Sequence, residues 1–223
     1  MMKLYTYPIT SNALKLELMI NAANIQIDRQ LVNLIRGEQK TPEFLALNPL
    51  GKIPLLVDGD QVFTESNALL IYLATHYQTR LWPIDETLQA HVLQWLFWQA
   101  TVWGPAAGTF HHQHVVRPAW GLRSDREALV QQQANLTVAC RQLEAHLHQR
   151  SKQQSQLFLA GDDLSVADLS VAALLLFRQQ MELQLDQYPA LQQWLQGLQS
   201  NPWWQQSKAQ ADAFIAQIHA YTS

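Results

Sequence analysis

The chain has 223 residues, enough for one large domain or two modest ones, and 48% of them are hydrophobic, which supplies a core. A formal net charge of -3 with only 15% charged residues gives no basic surface for nucleic acid. The single cysteine, Cys140, excludes an intrachain disulfide framework; Met1-Met2-Lys3 leads into no signal-peptide core, and no run of ~18 apolar residues reads as a membrane span, so a reducing, cytoplasmic setting is expected.

Lys3–Tyr7 reads as a short strand, and Asn12–Ala23, with Leu14, Leu18 and Met19 at helical spacing, as a helix that stops at Asn24. Ile25–Leu34 reads as a second strand. Thr41-Pro42-Glu43 opens a short helix, with Thr41 as N-cap and Pro42 at the first helical position. Leu55-Leu56-Val57 reads as a buried strand, Asp58-Gly59 as a hairpin turn, and Gln61-Val62-Phe63 as the returning strand. Glu65-Ser66-Asn67 then opens a helix running to about Tyr77. The order βαβαββα predicts a mixed sheet with helices packed on it, over residues 1–79.

Arg80-Leu81-Trp82-Pro83 reads as a linker, and every strong signal after it is helical, over residues 86–223. Glu86–Thr109 reads as a long helix carrying Trp95, Trp98 and Trp103, bent or broken at Gly104-Pro105. Asp125–Arg150 reads as a second long helix; Gln131-Gln132-Gln133 marks its solvated face. Ser165 with Asp168 three positions on forms a capping box, with Leu164 and Leu169 as a hydrophobic staple. Two more helices are predicted at Tyr188–Leu198 and Pro202–Tyr221. The fold class is therefore α/β followed by all-α.

The stretch from Asn48 to Asn67 carries the strongest functional signal. A proline at the head of a buried strand, Pro54, faces across a short hairpin toward a polar helix start at Glu65-Ser66. Free N–H groups at such a start await an anion. The combination suits a small peptide bearing carboxylates.

In Asn48-Pro49-x-Gly51-Lys52-Ile53-Pro54, in Glu65-Ser66-x-Ala68-Leu69-x-x-Tyr72-Leu73 and in Ser165-Val166-Ala167-Asp168, the chain resembles the cytosolic glutathione S-transferases. The resemblance covers nearly the whole chain and implies a thioredoxin-like N-terminal domain followed by a helical one. It implies a cis bond before Pro54, which lets the Ile53 backbone pair with the cysteinyl part of glutathione. It implies that Glu65 holds the γ-glutamyl ammonium and Ser66 its carboxylate, and that Lys40, with Gln39 beside it, or Lys52 receives the glycyl carboxylate. Glutathione is then a co-substrate, and no metal is needed.

Such a site must make a thiolate. A free thiol has a pKa of about 8.5, so only a few per cent is ionised at neutral pH. In serine-type members of the family, the activating hydroxyl lies two residues after the proline that ends the first strand. Here that residue is Thr10, following Pro8; Ser11 and Asn12 are the neighbouring candidates. All three could instead cap the helix. Tyrosine-type members carry their tyrosine two positions before that proline, a slot that Thr6 fills. Tyr5 and Tyr7 are one position off and point away by strand alternation. No cysteine lies near this loop, which argues against a protein-run mixed disulfide.

The resemblance places an electrophile pocket beside the first C-terminal helix, with Trp103, Phe110, His111, His114 and Trp120 as candidate walls suited to hydrophobic electrophiles. His111-His112-x-His114 lacks a carboxylate or cysteine at ligand spacing, so no metal site is expected. Arg117 is a candidate for an anionic group. Transferase chemistry is the first expectation. Glutathione-dependent isomerisation, dehalogenation or peroxide reduction uses the same site, and a non-catalytic binding protein could keep the same fold. The resemblance also implies a homodimer; Leu69, Tyr72 and the helix around Ala90–Leu96 are candidate contact surface, though such apolar helix faces could equally pack within the chain.

Overall fold

The computed structural model describes residues 2–154 and 156–222. The first part is β1 (Lys3–Thr6), α1 (Ser11–Ala22), β2 (Asp28–Leu31), α2 (Pro42–Leu47), β3 (Leu55–Asp58), β4 (Gln61–Phe63) and α3 (Ser66–His76). The sheet order is β2-β1-β3-β4; β1 and β2 are parallel, the other pairs antiparallel. The hairpin pairs Asp58 with Gln61, so its two-residue loop is Gly59-Asp60, with φ +58 at Gly59. Asn24, at φ +50, follows the end of α1 in the left-handed conformation that stops helices.

The second strand is shorter than the predicted Ile25–Leu34. At its start, the Ile25 N–H still bonds to Ile20 O behind α1. At its end, Asn33 turns the chain, its Oδ1 accepting from the N–H groups of Ile35 and Arg36.

The second part is helical: α4 (Glu86–Trp98), α5 (Gly104–His111), α6 (Arg117–Ala119), α7 (Arg126–Ser151), α8 (Val166–Ala172), α9 (Pro189–Gln199) and α10 (Pro202–Thr222). Of the bend or break expected at Gly104-Pro105, a break does not occur. Gly104 keeps helical φ/ψ of -59° and -50°, and α4 runs into α5 through a π turn at Gln99–Trp103. A second π turn, His112–Val116, joins α5 to α6. Each π turn comes just before a proline, Pro105 or Pro118. A wider turn accommodates a ring that would collide with the carbonyl four residues back in a regular helix. Among the described residues no helix is long and apolar enough to cross a membrane.

α1 is the central element. Every residue from Ala13 to Ile20 is buried, because the helix packs on α3, α5, α8 and α10. One apolar cluster runs from Leu4, Leu18 and Leu69 to Trp103, Phe177 and Trp194, so the two parts share a continuous core. Leu69, expected on a dimer surface, is 0% exposed inside this core. The predicted linker is fixed too: Leu81 is buried, and its carbonyl accepts from Val166 N at 2.9 Å.

The Ser165 capping box forms as predicted. Asp168 also does more than cap. Fully buried, it accepts from the Leu159 N–H (2.8 Å), the Ser165 N–H (3.1 Å), the Ser165 hydroxyl (3.0 Å) and the Trp194 indole N–H (2.9 Å). Burial pushes its carboxyl pKa up, and these donors pull it down. Four donors lose their acceptor in Asp168→Ala. The substitution should lower unfolding free energy by roughly 3–5 kcal/mol in urea titrations. A loss under about 1 kcal/mol would show that the carboxylate is not the anchor of α8 and α9.

Candidate functional site

Three loops meet at the end of α1 where the chain leaves β1. The first is Pro8–Thr10. Both the backbone N–H and the hydroxyl of Thr10 donate to Tyr7 O, at 3.0 and 3.1 Å. Thr10 is the N-cap residue of α1, yet its side chain makes no capping bond. Ser11 is half-buried and Asn12 exposed. Tyr7 is 2% exposed and packs edge-on against Phe214 and Trp120, with its pKa raised by burial. Tyr5 packs edge-on against Phe44. Both tyrosines serve packing.

The second loop is Gly51–Pro54, with a cis Ile53–Pro54 bond. Ile53 lies just beyond the sheet, since the β1–β3 register ends at Tyr5–Leu55. Asn48, which opens the motif but was given no role of its own there, braces this loop. It is 3% exposed; its amide donates to Lys52 O at 2.7 Å and its Oδ1 accepts from Leu50 N at 3.1 Å. Gly51 has φ +59, and a Cβ there would come within 2.7 Å of Lys40 Nζ. Lys40 therefore lies across the back of this loop.

The third is the start of α3. Glu65 precedes the helix at φ +66, ψ +106, a conformation sparsely populated by residues other than glycine. It is exposed, whereas Ser66 is 7% exposed.

Two cavities connect these loops. One, of about 260 Å³, is bounded by Thr10, Ser11, Asn12, Gln39, Lys52 and Ile53. The other, of about 270 Å³, is bounded by Ser11, Asn12, Lys15, Glu65, Ser66 and Gln99. Ser11 and Asn12 belong to both. Of the expected glutathione-holding and hydroxyl residues, Lys40 and Pro54 alone do not line either cavity. A larger cavity of about 420 Å³ lies elsewhere, between α4 and α7, against Trp95, Trp98, His146 and Arg150; none of the expected anchors lines it.

Lys15 is the member of the site that sequence reading missed. It is 2% exposed, and its ammonium group reaches Gln99 Oε1 at 2.7 Å, Ser66 Oγ at 3.1 Å and Asn67 Oδ1 at 3.2 Å. Burial pulls its pKa down to about 7, opposed by the Glu65 carboxylate. Its signal in the sequence was a cation flanked by Leu14 and Leu16, in a helix with no polar face.

The expected electrophile walls divide. Trp103 and His111 are core residues, at 0% and 1% exposed. The Trp103 indole donates to Val171 O at 2.9 Å. His111 lies 5.6 Å from the Phe177 ring, and burial pushes its pKa down to about 3. Phe110 is 7% exposed and stacks on half-buried His114. Trp120, half-buried, packs edge-on against Tyr7 and joins the apolar cluster around Tyr7 and Ile9 beside the first loop. Arg117 donates to Arg123 O at 2.8 Å, closing its own turn. Among the described residues no three His, Cys, Asp or Glu side chains gather as a metal site.

Residues 1–75 match the model of the glutathione S-transferase N-terminal domain, and residues 105–202 that of the C-terminal domain. Glutathione S-transferase 3 of Zea mays is 35% identical over 78% of this chain and 76% of its own length. Human glutathione S-transferase theta-2 is 35% identical over 65% of this chain, but only 58% of its own length is matched. The disulfide-bond oxidoreductase YfcG of Escherichia coli (strain K12) is 31% identical over 91% of this chain and 92% of its own. The solved structure of glutathione S-transferase-I bound with lactoylglutathione superposes with a TM-score of 0.81 at 28% identity, covering 93% of this chain and 98% of that one. With its mixed four-stranded sheet, its helical second part and both family models matched in order, the chain belongs to the glutathione S-transferase family.

Proposed function

We propose that the chain binds glutathione across the two joined cavities and presents its thiol as a thiolate to a hydrophobic electrophile. The observation that carries this reading is the convergence of Ile53, Glu65 and Ser66 with Thr10, Ser11 and Asn12 on one cleft. Ser66 and the start of α3 suit the γ-glutamyl carboxylate, and Glu65 suits the ammonium beside it. The Ile53 backbone suits the cysteinyl amide. Lys52, at the cavity edge, suits the glycyl carboxylate, with Lys40 behind it.

The sulfur then falls beside Thr10–Asn12 at the start of α1, where helix N–H groups and a hydroxyl both favour the thiolate. The Thr10 hydroxyl donates to Tyr7 O in this state, so donation to sulfur needs that bond to be given up by rotation of the O–H. Catalysis is then thiolate stabilisation and positioning. Leu34 and Ile53, which line this cavity, and Trp120 and Phe214, packed beside the same loop, are the apolar groups available to an electrophile bound there.

A second reading, glutathione-dependent disulfide reduction, is favoured by the YfcG relative, which matches nine tenths of the chain. The bound thiolate would attack a disulfide sulfur, and a second glutathione would resolve the mixed disulfide. The protein's own thiol would take no part, because Cys140 is buried with its pKa pushed up to about 12. A panel of aryl halides, peroxides and small disulfides with purified protein separates the two readings.

A homodimer is the assembly we infer. α4 exposes Phe97 at 67%, next to the groove that holds Trp95 and Trp98, and a second copy would cover this face. The buried free thiol and the absence of a disulfide suit a cytoplasmic setting.

Two outcomes are expected. In Thr10→Ala, ultraviolet absorbance should show the thiol pKa of bound glutathione rising by about one unit. The kcat/KM for an aryl halide at about pH 6.5 should then fall roughly tenfold. An unchanged thiol pKa would remove Thr10 from the chemistry and leave Ser11 and Asn12. In analytical ultracentrifugation the wild type should sediment as a dimer at micromolar concentration and Phe97→Glu as a folded monomer. A monomeric wild type would refute the dimer.

A further inference from the structure

Lys15 sits in the middle of α1, and its three N–H donors meet three neutral oxygens, from Ser66, Asn67 and Gln99. Among the described residues no carboxylate lies within ion-pair distance of it. Glu17, two positions along α1, is paired with Arg29 at 2.9 Å. From α3, the π turn and α8, the groups around it are Ser66, Asn67, Gln99 and Ser170, all neutral. Glu65, at the mouth of the cavity, is the charged group that acts on it. A buried ammonium solvated only by neutral dipoles is costly, and an anion placed beside it recovers part of that cost.

The bond to Ser66 has a directional consequence. A hydroxyl has one hydrogen, and here its oxygen accepts from Lys15. The remaining O–H is then directed away from the ammonium. Lys15, Glu65 and Ser66 all line the 270 Å³ cavity, and the first N–H groups of α3, an 11-residue helix, open at the same place.

We propose that Lys15 is a positioning residue for the γ-glutamyl α-carboxylate: it orients the Ser66 hydroxyl as a donor to that carboxylate and supplies the positive charge, so the ligand binds together with a proton. This rests on the glutathione reading above and deepens it. It assigns the site a preference for ligands with a free α-carboxylate beside an amino group.

The sign of the effect follows from linkage. In the free protein burial has pulled the Lys15 pKa down to about 7. An adjacent carboxylate raises it. Below about pH 7 the ammonium is already present and binding takes up little. Above that value the free amine is largely neutral, so binding must take up a proton and affinity falls as pH rises.

The test uses S-methylglutathione, which has no thiol to titrate. Calorimetry at about pH 8, in phosphate and in Tris, should show uptake of between about one half and one proton. Affinity should fall roughly five- to tenfold between about pH 6.5 and pH 8. The analogue lacking the α-carboxylate should bind with no proton uptake. Lys15→Met should bind roughly ten- to a hundredfold more weakly at about pH 6.5, with no proton uptake. Lys15→Arg, which keeps the charge without titrating, should restore affinity and stay flat with pH. If the wild type binds S-methylglutathione without proton uptake, or Lys15→Met keeps the uptake, the role of Lys15 is overturned and the glutathione reading stands. If neither glutathione nor S-methylglutathione binds the wild type at millimolar concentration, the glutathione reading falls and this proposal with it. The wild-type titrations need no variant, so a misfolded Lys15→Met does not spoil the test.

Discussion

Burying one ammonium group between the α/β part and the helical part is the constraint that organises this molecule. Three N–H donors require three oxygens, and they come from both sides of the seam: Ser66 and Asn67 from α3, Gln99 from the π turn. Asn67 is itself fixed in orientation. Its amide donates to Leu96 O at 2.8 Å, and its Oδ1 accepts from Ser170 at 2.7 Å as well as from Lys15. Packing of the two parts and placement of the α3 start are therefore solved by the same bonds. A slip along the seam would leave buried polar atoms unpaired, which costs more than the loss of a few apolar contacts.

This arrangement also separates binding from chemistry within a short distance. Ser66 sits where the seam holds it, bonded to Lys15. Thr10 sits where the loop satisfies itself, its hydroxyl turned back to Tyr7 O. On the proposed function, the binding half is bonded in place and the reactive half exchanges one internal bond for a bond to sulfur. Tyr7, packed against Trp120 and Phe214, keeps the backbone of that loop from following the hydroxyl.

Features set by near neighbours were legible in the sequence. The hairpin at Gly59, the Thr41-Pro42 helix start and the Ser165–Asp168 box each depend on a few consecutive residues, and each formed. The cis Ile53–Pro54 loop and the helix start at Ser66 were legible for the same reason. Features set by distant packing were not. Lys15 looked like any helical lysine, because its partners lie 51, 52 and 84 positions away. Trp103 and His111 were candidates for the pocket wall on the family resemblance, and both are buried in the core. Trp103 closes a π turn that no local residue pattern announces, and its indole is taken up by Val171 O, 68 positions away. Leu69 was assigned outward from a helix whose cover by α1 and α8 could not be seen from its own residues.

The π turns carry a consequence of their own. Each is in effect a regular helix with one surplus residue, and in a helix of 3.6 residues per turn one residue is worth about 100° of rotation. The wide turn takes up that residue locally, so removing one from Gln99–Trp103 would restore a regular turn and re-aim the side chains within it while leaving α5 and α6 close to where they lie. The wall presented to the cleft is thus adjustable by chain length as well as by substitution. A lineage could reach a new pocket shape by a one-codon deletion, while the seam around Lys15 would hold it to lengths that still deliver Gln99.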